Sequence, residues 1–135
     1  MTNPLLQTAK TPVPVVLVVD DEPMIRWSIE QTLTAAGYQV LGAATGAEGL
    51  ALIEKVHPDL VFLDVHLPDA NGLSLLERIK GDGARIAVIV MTAYEDERTA
   101  SDARSRGADH FLGKPFNFDE LTGVAGQVLD RASVG

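Results

Sequence analysis

Four short apolar runs in this 135-residue chain each stop on a polar residue, and that punctuation constrains the fold more than any other feature. VVLVV runs into Asp20 and Asp21, LVFL into Asp64, IAVIVM into Thr92, and HFLG into Lys114 and Pro115. Short apolar runs bounded by turn signals read as strands buried on both faces, as in a parallel sheet. In open α/β sheets, ligands lie just beyond the carboxyl ends of the strands. The four strand ends therefore aim three carboxylates, a hydroxyl and an ammonium at one place. That set suits a divalent cation and a phosphoryl group.

Helical patterns fill the gaps between the runs. The first strand is expected at Val15 to Val19, followed by a helix from Pro23 to Ala36. Proline stands in that helix's first turn and Gly37 is its stop. Ile25, Ile29, Leu33 and Ala36 fall on one face of it. A strand near Gln39 to Ala43 and a helix from Gly46 to Lys55 come next. Then follow a strand at Leu60 to Leu63, a loop from Asp64 to Asn71, a helix near Leu73 to Lys80 and a strand at Ile86 to Met91. The fourth helix, Glu95 to Ser105, is mostly charged or small and offers mainly Ala100 and Ala103 to a core. Burial scales with apolar area, so this helix is expected to be held less firmly than its neighbours. A strand at His110 to Leu112 leads to a last helix, which opens with Asn117 and Glu120 in capping-box spacing. Phe118, Leu121, Ala125, Val128 and Leu129 line one face of that helix. Five βα units predict an α/β fold, a doubly wound five-stranded parallel sheet with helices on both faces.

Composition narrows the function classes. The chain is large enough to bury a core, and 46% apolar content fits a globular protein. A formal net charge of -8 disfavours nucleic acid and anionic membrane as partners. There is no cysteine, so thiolate metal sites and disulfides are absent. No apolar run is long enough to span a bilayer, and the start lacks a signal-peptide pattern. A cytoplasmic location is expected. Residues 1–14, with three prolines, read as a flexible arm, 15–132 as the domain and 133–135 as a tail.

Each polar strand end has a specific chemistry and an ordinary alternative. Adjacent Asp20 and Asp21, with Asp64 nearby, concentrate negative charge that favours a hard cation with oxygen ligands, magnesium above all. The same Asp-Asp-Glu triplet also suits the first turn of a helix. Asp64 after a buried strand can act as a nucleophile toward phosphorus, or simply open a turn. Thr92 can hydrogen-bond a phosphoryl oxygen or cap a turn. Lys114 can neutralise a second phosphoryl oxygen or stand solvated. Pro115 is a candidate for a cis bond that would aim the lysine inward. The joint order of the four carries more weight than any one.

With VVDDEP (18–23), LDVHLPDANG (63–72), MTAY (91–94) and LGKPF (112–116), the chain resembles the receiver domain of bacterial two-component response regulators. The resemblance runs from about Val15 to Ala132, and all five characteristic positions are present. Within the family, DDEPMIRW is most similar to regulators of the nitrogen-control, sigma-54-dependent type. Those usually carry ATPase and DNA-binding domains downstream. The resemblance implies a flavodoxin-like strand order 2-1-3-4-5 and a phosphoacceptor at Asp64. It implies magnesium, replaceable by manganese, on Asp21 directly, on Asp20 mainly through water, and on the backbone carbonyl of His66. Thr92 and Lys114 would grip the phosphoryl oxygens. Thr92 would move inward on phosphorylation and Phe111 would follow, although many relatives have tyrosine at that position.

The implied phosphoryl donor is a sensor histidine kinase or a histidine phosphotransfer protein docking near the first helix. The implied output surface is the face of helix 4, strand 5 and helix 5, through which homodimerisation could also run. Trp27, opposite the apolar stripe of its helix, is either a surface side chain or a kinase contact. His66 and Tyr94 flank the expected path of the hydrolytic water and would tune phosphate lifetime. A haloacid-dehalogenase-like phosphatase shares the Asp, Thr, Lys and magnesium, but wants a second Asp two positions after the nucleophile, where His66 stands. A nucleotide-binding module would want a glycine-rich first turn in place of Asp-Asp-Glu.

Overall fold

A computed structural model of the chain describes residues 13–81, 85–93 and 97–134, with side chains to Arg131. Five strands alternate with five helices: β1 Val15–Val19, α1 Pro23–Ala35, β2 Gln39–Ala43, α2 Gly46–Val56, β3 Leu60–Asp64, α3 Gly72–Gly81, β4 Ala87–Thr92, α4 Glu97–Ser105, β5 His110–Gly113 and α5 Phe118–Val134. The strands form one parallel sheet in the order β2-β1-β3-β4-β5. The expected fold class and strand order both hold.

Alternation along the central strands divides the core in two. Val16, Val18, Leu60, Phe62, Ile89 and Met91 face one side and pack with Ile29 and Leu33 of α1 and Leu121, Ala125 and Val128 of α5. Leu17, Val19, Val61, Leu63, Val88 and Val90 face the other side and pack with Leu73, Leu76 and Ile79 of α3 and Ala103 of α4. Both faces of β3 are covered, which is why LVFL reads as an unbroken apolar run. Each fully buried Leu, Ile or Phe in these layers contributes about 1.5–3 kcal/mol from burial.

The helix boundaries follow local chemistry. Pro23 opens α1. The helix ends one residue earlier than expected, where Gly37 takes φ 103° and the N–H groups of Gly37 and Tyr38 donate to the carbonyls of Thr34 and Leu33. Gly107 closes α4 the same way, donating to Arg104 while Ala108 donates to Ala103. Thr45 caps α2 by accepting from the Glu48 N–H at 3.1 Å, and Asn117 caps α5 by accepting from the Glu120 N–H at 2.7 Å.

Two face assignments need correction. Ala36 is exposed, because α1 has already ended there. Phe118 is 63% exposed and Val124 is buried instead. Phe118 has the right angular position, but it sits in the first turn of α5, beside the cleft against Ile25 and not over the sheet. The proposed start of the fourth helix at Glu95, Tyr94 and most of the N-terminal arm lie outside the described residues. No described helix is long and apolar enough to cross a membrane.

Candidate functional site

Parallel register brings the four strand ends to one edge. Val19 pairs with Leu63, so Asp20 and Asp64 are the next residues of adjacent strands. Asp64 pairs with Met91 and Thr92 with Gly113, which sets Thr92 and Lys114 alongside. The main chain reinforces this edge: Asp20 N–H donates to the Ala43 carbonyl at 3.0 Å and Lys114 N–H to the Thr92 carbonyl at 2.8 Å. Asp20, Asp64 and Thr92 are the buried polar residues among those described, and Asp21 is exposed.

Ligand oxygens of Asp20, Asp21 and Asp64 all lie within 4.8 Å of one another. Against them stands the ammonium of Lys114, 2.7 Å from Asp20 Oδ2, 3.5 Å from Glu22 Oε1 and 3.6 Å from Asp64 Oδ2. Three carboxylates facing one ammonium leave an excess of negative charge that a divalent cation would cancel. Hard oxygen donors, two of them buried, fit magnesium better than a softer metal.

The charge balance tunes the individual groups. Burial raises the pKa of Asp64, and the neighbouring charges of Asp20 and Asp21 raise it further, while Lys114 and the His66 N–H oppose them. Burial works against the Lys114 charge, but its hydrogen bond to Asp20 and the surrounding carboxylates outweigh this and raise its pKa. Lys114 is therefore a firmly held cation.

The β3–α3 loop folds back directly after Asp64. Val65 N–H donates to the Met91 carbonyl at 3.0 Å and Gly72 N–H to the Val65 carbonyl at 2.7 Å, while His66 and Asn71 form an antiparallel bridge. His66 N–H points back to Asp64 Oδ1 at 3.4 Å, and its side chain is exposed. Asn71 Oδ1 accepts from the Leu73 N–H at 2.8 Å and caps α3. A Cβ on Gly72 would run into the Asp64 carbonyl and the Val65 Cα, so only glycine fits where α3 meets the end of β3.

The remaining sequence candidates fall in different places. The Lys114–Pro115 bond is cis. Phe111 is half-buried and packs against the α2–α3–α4 side of the core. Trp27 is 56% exposed, in α1 with Met24 also exposed. Sequence reasoning missed Arg26, whose Nη1 donates to the Asp20 carbonyl at 2.8 Å, and Gly42, where a Cβ would meet Glu30 Oε2 and Arg26 Cδ. It also missed Asp69, discussed below. No periodicity marks these residues: the Arg26 bond reaches back only six residues, and the Gly42 contact is made where α1 packs on β2.

A doubly wound five-stranded sheet with an acidic pocket at its carboxyl edge defines the receiver class of signalling domain. The chain belongs to the response regulator receiver domain family, whose profile matches residues 16–125. It is 36% identical over 117 residues to the DNA-binding transcriptional regulator NtrC of Escherichia coli K12, covering 87% of this chain and 25% of that protein. It is 37% identical over 118 residues to sporulation initiation phosphotransferase F of Bacillus subtilis, covering 87% of this chain and 95% of that one. A CheY-like receiver domain from Methanospirillum hungatei superposes with a TM-score of 0.86 at 34% identity, over 90% of this chain and 98% of the other. The chain thus spans about a quarter of NtrC's length and nearly all of the Bacillus protein's.

Proposed function

We propose that Asp64 is the phosphoacceptor of this receiver domain, and that Asp20, Asp21, Asp64 and the His66 carbonyl hold magnesium, with manganese able to substitute. The observation that carries this is the convergence of the three carboxylates within 4.8 Å, with Lys114 against them. When bound, magnesium supplies positive charge that offsets the carboxylates and the phosphoryl oxygens.

The chain's own residues do the rest. Asp64 sits at a rigid strand end, with Oδ1 toward the His66 N–H and Oδ2 toward Lys114. A carboxylate oxygen of Asp64 forms the new P–O bond while the donor's P–N bond breaks and its electron pair returns to the histidine ring. Lys114 moves from Asp20 toward the phosphoryl group, and the Thr92 hydroxyl takes another oxygen.

The donor is a sensor histidine kinase or a histidine phosphotransfer protein. A cleft of about 220 Å³, lined by Ile25, Ser28, Ile29, Lys114 and Pro115 with exposed Phe118 at its side, lies between α1 and the β5–α5 loop and supports docking there. Trp27 and Met24 are exposed elsewhere on α1, outside the lining of that cleft, and are further candidate kinase contacts. On phosphorylation Thr92 moves inward, Phe111 follows, and α4 shifts. The α4–β5–α5 face then changes affinity for an output domain, a target or a second copy. Likeness to NtrC supports a transcriptional output, and the acidic charge of this domain supports a role without direct nucleic-acid contact. Acetyl phosphate with magnesium should label the wild-type protein on Asp64, and Asp64→Asn should abolish labelling. Labelling that persists on the Asn variant would refute the assignment.

A further inference from the structure

We infer that Asp69 is a positioning residue for the phosphoryl-transfer site: it clamps the β3–α3 loop onto the first turn of α2, and so holds the His66 main chain in place beside Asp64. The inference rests on the proposed metal role of the His66 carbonyl.

Both oxygens of Asp69 are engaged across more than twenty residues of sequence. Oδ1 accepts from the Gly46 N–H at 2.8 Å and Oδ2 from the Ala47 N–H at 3.0 Å. These are the first N–H groups of α2, which have no partner within the helix. Thr45, the helix's own cap, takes only the Glu48 N–H. The two caps thus divide the turn, and one of them comes from the loop that follows the phosphoacceptor. The two backbone N–H groups also hold the Asp69 carboxyl below the usual range, so it is ionised at neutral pH.

Gly46 makes the close approach possible. A Cβ there would meet Leu75 Cδ1, Ala70 Cβ and Asp69 Oδ1 at 2.8–3.3 Å. The base of the same loop is fixed by the His66–Asn71 bridge and the Gly72–Val65 hydrogen bond. His66 lies at that base, three residues before Asp69, so the tip anchor adds a second restraint to a main chain that the bridge holds from one side only. Without the tip anchor the bridge alone would restrain the loop, and the His66 carbonyl would be held less well.

The test compares Asp69→Ala with Thr45→Ala, each in the full chain. Both remove a cap from α2, but only the first releases the loop. Magnesium affinity is read by calorimetry without any phosphoryl donor, and labelling rate by acetyl phosphate. Asp69→Ala should weaken magnesium binding several-fold and slow labelling, while Thr45→Ala lowers thermal stability to a similar degree and leaves magnesium affinity unchanged. Wild-type affinity in Asp69→Ala, or equal weakening in Thr45→Ala, would overturn the positioning role and leave Asp69 as a cap of α2 alone. Failure of wild-type protein to be labelled at Asp64 would instead overturn the underlying reading of the site, and the inference with it.

Discussion

Lys114 lies closer to Asp20 than to Asp64, 2.7 Å against 3.6 Å, so the strand-end lysine is shared among carboxylates and not dedicated to Asp64. Such a buried, hydrogen-bonded pair is costly to break from one side only, since the partner is left as an uncompensated charge. Gly72 is the most constrained residue beside it. A methyl group there would collide with main-chain atoms of Asp64 and Val65, which cannot move without shifting the Asp64 carboxylate. Gly72→Ala should therefore destabilise the protein by about 3 kcal/mol. It should also depress labelling of whatever fraction stays folded. A variant with wild-type melting temperature and labelling rate would show that the contact is relieved by a small slide of α3.

Among the elements, α4 differs from its neighbours. Only Ala100 and Ala103 are buried in it, whereas α3 buries Leu73, Leu75, Leu76 and Ile79. Its last turn is tied to α3 through Arg106, which reaches Glu77 at 3.1 Å and Asp102 at 2.9 Å. These groups are partly to mostly exposed, and such pairs contribute about 0–1 kcal/mol. Little apolar area and weak ties place α4 at the low end of local stability. Amide exchange should therefore be at least roughly tenfold faster across α4 than across α3, equivalent to about 1.4 kcal/mol in opening free energy. Equal protection in the two helices would remove the physical basis for α4 as the moving part.

At the scale of the whole molecule, a cation held at the acidic edge would tie folding to metal. Residues at the ends of β1, β3 and β5 share one cluster of charge, and a cation bound there would stabilise only the folded chain. At a hundredfold excess of magnesium over its Kd the gain is about 2.7 kcal/mol. For a domain of this size that corresponds to a rise in Tm of roughly 10 °C. Chelation should return the midpoint to its starting value. A midpoint indifferent to magnesium would detach the metal from this site.

The sequence by itself determined the five βα units, the strand ends and the residues Asp20, Asp21, Asp64, Thr92 and Lys114. Buried parallel strands must be apolar on both faces, so any polar residue that interrupts them is conspicuous. It also foretold that α4 would bury only Ala100 and Ala103, because the rest of the segment is charged or polar. Only the tertiary structure decided that Lys114 favours Asp20, that Phe118 stands beside a cleft, that Arg26 reaches back to the Asp20 carbonyl, and that Asp69 accepts from the Gly46 and Ala47 N–H groups. The Lys114 and Asp69 contacts join segments far apart in the chain. Local periodicity holds no trace of them, since the hydrogen bonds that Asp69 accepts from the start of α2 depend on how the layers pack and not on any residue beside it.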